Sequence, residues 1–349
     1  MTKAPIIEVQ NVKRSFRSVK KKEGLRGAID LLIKPEYTSH EALKGVSFQI
    51  EEGSFVGLIG ANGAGKTTLL KILSGLIPPS SGHARVLGVE PFTRPIHFRK
   101  QIALLMGQKA QLWWDLPALD AFDLLRAIYD IPAATYRERL EELSTLLDVK
   151  KHLHTQIRRL SLGERMKMEL IGSLLHWPKV IFLDEPTIGL DVLAAHKLRE
   201  FLRVFNQKEK ATIILTSHNM DDIERLCSRV LIIREGELIY DGKPTGLTQE
   251  GEKRLKLHFM EKVTPEELHK ITQLPEGSIQ IGVASEDDED SDSEAQERTA
   301  VFNLQHNQIV PTLQALMARL TLTDMGIEQQ SLERVIQRIY SEDKKDLRP

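Results

Sequence analysis

Residues 60–68 read Gly60-Ala61-Asn62-Gly63-Ala64-Gly65-Lys66-Thr67-Thr68. The spacing is G-x-x-x-x-G-K-[ST], a loop whose backbone N–H groups cradle phosphates. Phe55 to Ile59, just before it, reads as a short buried strand, and Thr68 to Leu73 reads as the first turns of a helix. Gly60, Gly63 and Gly65 let the chain turn tightly, and a helix N-terminus adds partial positive charge. Lys66 supplies a point charge for β/γ-phosphates, and the Thr67 hydroxyl can hold Mg²⁺. The plain alternative is a chance glycine turn before a helix; strand, loop, Lys-Thr pair and helix agree against it.

Further along the chain, Val180 to Glu185 is an apolar strand ending in two carboxylates, Asp184 and Glu185. Two carboxylates at a buried strand end are costly unless a metal or substrate uses them. Asp184 can bind Mg²⁺ through a water, and Glu185 can polarise an attacking water. Thr212 to Thr216 is a similar strand followed by Ser217-His218, where His218 can contact a γ-phosphate. Ile102 to Met106 is another, followed by Gly107-Gln108, where Gln108 can touch metal or water. A lone His or Gln is usually structural; four strand-end polar groups around one phosphate loop form a site.

Composition sets the outer bounds. The chain has 349 residues, 41% hydrophobic and 28% charged, with a net charge of −1. That suits a cytosolic protein of two or more domains and gives no electrostatic case for nucleic acid. The single cysteine, Cys227, excludes an internal disulfide framework and reads as a small core residue. No run reaches the roughly 18 apolar residues of a membrane span, and Met-Thr-Lys-Ala-Pro at the start has no apolar signal core. A membrane role therefore comes through a partner.

Ile6 to Val12 and Val46 to Ile50 alternate as strands. Phe16, after the basic pair Lys13-Arg14, is either core or a platform for a purine ring. Between them, Lys20-Lys21-Lys22 is basic. Leu25 to Ile33 then forms one apolar helical face, ended by Pro35. That helix either packs on its own domain or lies against a membrane or membrane partner. From about residue 110 to 175 the apolar spacing becomes helical, which reads as a helical subdomain inserted into the α/β core. It opens with Gln111-Leu112-Trp113-Trp114-Asp115-Leu116-Pro117. Of the two tryptophans, either both are core or one is exposed at a contact. Ser161, with Glu164 three residues later, reads as a capping box before the helix Met166 to Leu175.

Taken together, these motifs resemble the ATP-binding cassette family over about residues 6–243. Gly60 to Thr67 correspond to its Walker A, Gln108 to the Q-loop glutamine, and Leu160 to Glu164 to the signature. Val180 to Glu185 correspond to Walker B, Gly189-Leu190-Asp191 to the D-loop, His218 to the switch histidine and Phe16 to the aromatic A-loop. The resemblance implies ATP and Mg²⁺, with Asn62, Ala64 and Thr68 joining the other loop residues around the phosphates. It implies Glu185, His218 and Gln108 in catalysis, and Thr67, Gln108 and Asp184 around the metal. It also implies Ser161, Gly163, Glu164 and Asp191 at the nucleotide of a second copy, so that two chains sandwich two ATP. The signature reads Leu-Ser-Leu-Gly-Glu rather than Leu-Ser-Gly-Gly-Gln, keeping Ser161 and Gly163. The segment between Phe16 and Ala42 is longer than the family norm. That insertion and the Trp113-Trp114 stretch look like ATPases paired with ABC-2-type integral membrane permeases, which are mostly exporters. The implied location is the cytoplasmic face of the membrane, held there by the permease. A soluble cassette ATPase is the alternative. Against it, only one cassette is present and the heptads of a long coiled coil are absent. Glu185 argues against a nucleotide binder without turnover.

After residues 241–246, which read as a linker, the remaining hundred residues alternate anew. Arg254 to Met260, Ser278 to Val283, Thr299 to Leu304 and Leu322 to Glu328 read as strands. Helices start at the Thr264-Pro265-Glu266-Glu267 capping box and at Ile309, and Leu332 to Tyr340 is amphipathic. The order βαββαβ plus a helix reads as a small ferredoxin-like α+β domain. Residues 1–245 thus read as a P-loop NTPase cassette and 246–349 as an accessory or regulatory domain. Glu286 to Glu294 reads as an acidic disordered loop, without the spacing of an EF-hand.

Overall fold

The computed structural model describes residues 4–19, 37–107, 110–247, 252–275, 278–281, 298–329 and 332–341. Gln108, the Lys20–Lys22 run, the Leu25–Ile33 stretch and the 286–294 acidic segment lie outside the described residues. The chain divides into two compact units, Met1–Pro244 and Thr245–Pro349.

The first unit carries two sheets. In one, β1 (Ile7–Val19) pairs antiparallel with β2 (Tyr37–Ile50) on one side and with β4 (Ser81–Val86) on the other. Both β1 and β2 run well past the segments whose alternation marks them. The extra length is cross-strand pairing, from Ser15 opposite Glu41 to Val19 opposite Tyr37.

The second sheet follows the order β5-β6-β7-β3-β8-β9. Its members are β3 (Phe55–Ile59), β5 (Ile102–Met106), β6 (Val180–Asp184), β7 (Thr212–Thr216), β8 (Arg229–Arg234) and β9 (Glu237–Gly242). All neighbours are parallel except β8 and β9. Every residue of β3 and β7 is buried, as are the first four of β6. Parallel strands covered on both faces take such unbroken apolar runs. Cys227 is buried, and burial pushes its thiol pKa up.

Helix α1 (Lys66–Leu73) leaves the end of β3 and packs Leu69, Leu70, Ile72 and Leu73 into the core between the two sheets. The short α2 (Ile96–Arg99) precedes β5. The inserted helices are α3 (Ala118–Ile128), α4 (Ala133–Leu146) and α5 (Leu162–Leu174). Helix α5 starts earlier than its apolar periodicity suggests, because the Ser161–Glu164 capping box fixes its first turn. Trp113 and Trp114 are both exposed, at 43% and 49%, so neither is a core residue. Arg165 lies over the Trp114 ring at 5.2 Å. Helices α6 (Val192–Glu209) and α7 (Met220–Leu226) follow β6 and β7.

The second unit is a four-stranded antiparallel sheet built from β10 (Glu252–Phe259), β11 (Ile279–Ile281), β12 (Thr299–Gln305) and β13 (Leu322–Gln329). Their order is β11-β12-β10-β13, a split β-α-β arrangement. Helices α8 (Pro265–Thr272) and α9 (Ile309–Met317) supply Leu268, Ile309 and Leu316 to a core with Leu255, Leu257 and Phe302. Helix α10 (Leu332–Ser341) closes the described chain.

Candidate functional site

In open parallel sheets, ligands sit beyond the carboxyl ends of the strands. The ends of β3, β5, β6 and β7 carry the residues singled out by sequence. At β3, Gly60 is buried, Asn62 and Gly63 are exposed, Ala64, Gly65 and Lys66 are buried, and Thr67 and Thr68 are half-buried. Gly65 takes φ 113° as the N-cap of α1. A Cβ there would lie 2.5 Å from the Ala42 carbonyl oxygen, so no other residue fits. The helix has no side-chain cap and no acidic residue in its first turn. Its first N–H groups are therefore left to meet an anion. The Lys66 ammonium donates to the carbonyls of Gly60 at 2.5 Å and Ala61 at 3.3 Å. Burial lowers the Lys66 pKa, while the charges of Glu185 and Asp184 raise it.

Thr67 and Asp184 meet directly: Thr67 Oγ1 donates to Asp184 Oδ2 at 2.9 Å. The other carboxylate oxygen, Oδ1, accepts from Thr216 Oγ1 at 2.7 Å. The same Thr216 hydroxyl accepts from the Glu185 N–H at 3.0 Å, and the Thr216 carbonyl accepts from it at 3.1 Å. Glu185 is bent out of the strand into the left-handed region, at φ 55°. Such a backbone persists only where its surroundings hold it. Its carboxylate Oε1 lies 3.0 Å from His218 Nε2. The chain thus brings Lys66, Thr67, Asp184, Glu185 and His218 to one end of the sheet. Gln108, two residues beyond β5, is outside the described residues.

The remaining candidates have other partners. Ser161 Oγ accepts from the Glu164 N–H at 3.3 Å, and Glu164 Oε2 accepts from the Ser161 N–H at 3.0 Å and from its hydroxyl at 2.9 Å. Glu164 Oε1 also lies 2.9 Å from His152 Nε2. The bonds from Ser161 lower the Glu164 pKa below the usual carboxylate range, with His152 adding to the effect. Asp191 is the N-cap of α6, accepting from the Ala194 N–H at 2.8 Å. Phe16 is exposed on β1, with the Arg14 guanidinium 4.7 Å from its ring centroid.

Residues 43–188 match the ABC transporter family model. Over 224 residues the chain is 33% identical to the ABC transporter ATP-binding protein NatA of Bacillus subtilis (strain 168), covering 64% of this chain and 91% of that protein. The chain belongs to the ABC transporter ATP-binding family. Another ABC relative, the Nod factor export ATP-binding protein I of Ralstonia nicotianae (strain ATCC BAA-1114 / GMI1000), is 34% identical over 212 residues. That match covers 61% of this chain and 65% of the relative. Among solved structures, an ATP binding subunit of an ABC transporter superposes with a TM-score of 0.59 at 26% identity, covering 70% of this chain and 92% of that one. The ATP-binding cassette MJ0796, in a dimeric post-hydrolysis state bound to ADP and Pi, has the same fold. Its TM-score is 0.57 at 23% identity, over 68% of this chain and 98% of that one.

Within this ABC cassette, sequence reading passes over Thr216 and Asp222. Thr216 had a signal, being a hydroxyl at a strand end just before Ser217-His218. Asp222 had none, because its partners come from segments distant in sequence.

Proposed function

We propose that this chain is the ATP-hydrolysing subunit of an ABC transporter and acts as a dimer around two ATP. One observation carries the reading: Thr67, Asp184, Glu185 and His218 are in contact at the sheet end from which the uncapped, lysine-bearing helix α1 departs. The first N–H groups of α1 and the Lys66 ammonium bind the phosphates of ATP. Hard divalent cations take oxygen ligands, and the Thr67 hydroxyl and Asp184 carboxylate, already adjoining, suit Mg²⁺, with Gln108 joining them. Bound Mg²⁺ supplies neutralisation of phosphate charge. Glu185 orients the attacking water, and His218 reaches the γ-phosphate. Phe16 stacks on the purine.

The second copy supplies Ser161, Gly163, Glu164 and Asp191 to the same ATP. Exposed apolar side chains beside these residues support that reading: Leu162, Ile188, Val192 at 84% and Leu193 at 67%. Such surface on a monomer marks a contact. The dimeric MJ0796 cassette is a precedent of the same fold.

A cavity of about 480 Å³ opens beside β5 and α5, lined by Arg99, Leu104, Gln111, Leu112, Glu169 and His176. We take it, with Trp113 and Trp114 alongside, as the seat for an ABC-2-type permease. In this reading the subunit works from the cytoplasmic face through that permease; no helix among the described residues is long and apolar enough to cross a membrane. The Nod factor export relative supports export as the direction. We read residues 246–349 as an accessory domain.

The experiment mixes two inactive variants of the full chain, Lys66→Ala and Ser161→Arg. If each site takes Lys66 from one copy and Ser161 from the other, a mixed dimer keeps one intact site. ATP turnover should reappear on mixing. Turnover that stays absent, with mixed dimers present by mass, refutes the composite site.

A further inference from the structure

The Asp222 carboxylate is fully buried, at 0% exposure, in the first turn of α7. A buried carboxylate is costly unless its lone pairs are used. Three donors from three separate segments use them. Arg199 Nη1 on α6 donates to Oδ1 at 2.7 Å. Ser217 Oγ donates to Oδ2 at 2.6 Å, and Thr187 Oγ1 donates to the same oxygen at 2.7 Å.

Those donors are informative by their neighbours. Thr187 lies two residues after Glu185, and the loop it belongs to closes on itself through Ile188 N–H to the Glu185 carbonyl at 3.3 Å and Leu190 N–H to the Thr187 carbonyl at 3.1 Å. That loop leads into Asp191 and α6. Ser217 immediately precedes His218, and its hydroxyl also accepts from the Asn219 N–H at 3.0 Å, so it holds the turn on both sides of the histidine. One buried oxygen therefore ties the loop that follows Glu185 to the turn that carries His218. Glu185 and His218 themselves meet at 3.0 Å.

We propose that Asp222 is a positioning residue that couples loop 185–191 to turn 217–219, with Arg199 as the counter-charge that lets a carboxylate sit there. The proposal rests on Glu185 and His218 acting in ATP hydrolysis. A shift of the 185–191 loop then moves the switch histidine through Thr187, Asp222 and Ser217, without passing through the nucleotide.

Replacing Asp222 would strand Arg199 in the core, so the test uses its hydroxyl partners. Thr187→Val removes one bond to Oδ2; Ser217→Ala removes the other together with the bond from the Asn219 N–H, so Thr187→Val is the cleaner of the two. They are made singly and together in the full chain. Each single variant should lower kcat by roughly tenfold or more, the scale of one hydrogen bond to a charged group. KM should change less than about twofold, because the P-loop is untouched. The double variant should be no slower than the slower single one, since breaking either arm breaks the bridge. Amide exchange gives a readout that needs no turnover. Thr187→Val should speed exchange in 217–219, and Ser217→Ala should speed it in 187–191. Unchanged kcat in both singles, multiplicative losses in the double, or exchange changes confined to each variant's own segment would overturn the proposal. A wild-type chain without ATP turnover would instead contradict the hydrolysis reading, and the exchange arm would still decide the coupling.

Discussion

Gly107→Ala is the smallest change that should disable this site without touching any group that binds nucleotide. Gly107 N–H donates to the Asp184 carbonyl at 2.8 Å, which presses the end of β5 against the end of β6. A Cβ at Gly107 would lie 2.3 Å from the Glu185 carbonyl oxygen and 3.1 Å from that of Asp184. Ordinary contact begins near 3.4 Å, so about 1.1 Å of separation is missing (3.4 minus 2.3). The obstacle is backbone, not the end of a flexible side chain. Glu185 is also held at φ 55° by two bonds to Thr216, so it has no free direction of retreat. Overpacking of this kind costs about 1–3 kcal/mol of stability. A displacement near 1 Å at a reacting group costs on the order of 100-fold in rate, equivalent to about 2.7 kcal/mol of barrier. The assay is phosphate release by the full chain at saturating ATP, with ATP binding by calorimetry and Tm measured alongside. Gly326→Ala is the control, since nothing lies within 4 Å of its added Cβ. Gly107→Ala should lose about two orders of magnitude in kcat with affinity held within roughly threefold. Wild-type kcat and Tm in Gly107→Ala would refute the argument that the β5 end fixes Glu185.

Two further outcomes follow from the packing. Burial lowers the His176 pKa to about 4, against a bond from its ring to the Ile102 carbonyl at 2.9 Å. Unfolded His176 takes its proton near 6.5, so below that pH the unfolded state binds more protons. Stability should fall from pH 6.5 to about 4 and level off below, by about 1.4 kcal/mol per pH unit and about 3 kcal/mol in all. His176→Gln should lose that dependence; parallel unfolding curves for the two chains across the window would contradict it. Phe16→Ala should weaken ATP binding by about 1–3 kcal/mol, the scale of a base stacked on an aromatic ring. Calorimetric titration with ATP checks this, and unchanged affinity would remove Phe16 from the purine site.

The centre of the fold was legible because its strands are buried on both faces. Phe55–Ile59, Val180–Asp184 and Thr212–Thr216 need only their own residues to be recognised. The placement of Asp184, Glu185 and His218 at one sheet end was legible for the same reason: each stands where an apolar run stops. What could not be read depends on contacts between segments distant in sequence. The extension of β1 and β2 depends on pairs such as Phe16 opposite His40, invisible to local alternation. Two adjacent tryptophans imply opposite directions only on a regular element, and Trp113 and Trp114 lie in a turn where both face outward. Asp222 reads as one more polar residue of a short helix, until Arg199, Ser217 and Thr187 converge on it. Glu185 reads as the last residue of its strand, yet it leaves the strand by a left-handed bend.

The most direct test of the central claim uses Glu185→Gln in the full chain, sized by light scattering with Mg-ATP and with ADP. The substitution keeps side-chain size and removes the charge to which the proposed mechanism assigns the polarising of water. Hydrolysis should slow by roughly two orders of magnitude or more. ATP then remains between Lys66 of one copy and Ser161 of the other, so a dimer should accumulate with Mg-ATP and vanish with ADP. Hydrolysis at the wild-type rate would contradict the role of Glu185, and a slow variant that stays monomeric in Mg-ATP would contradict the two-copy site.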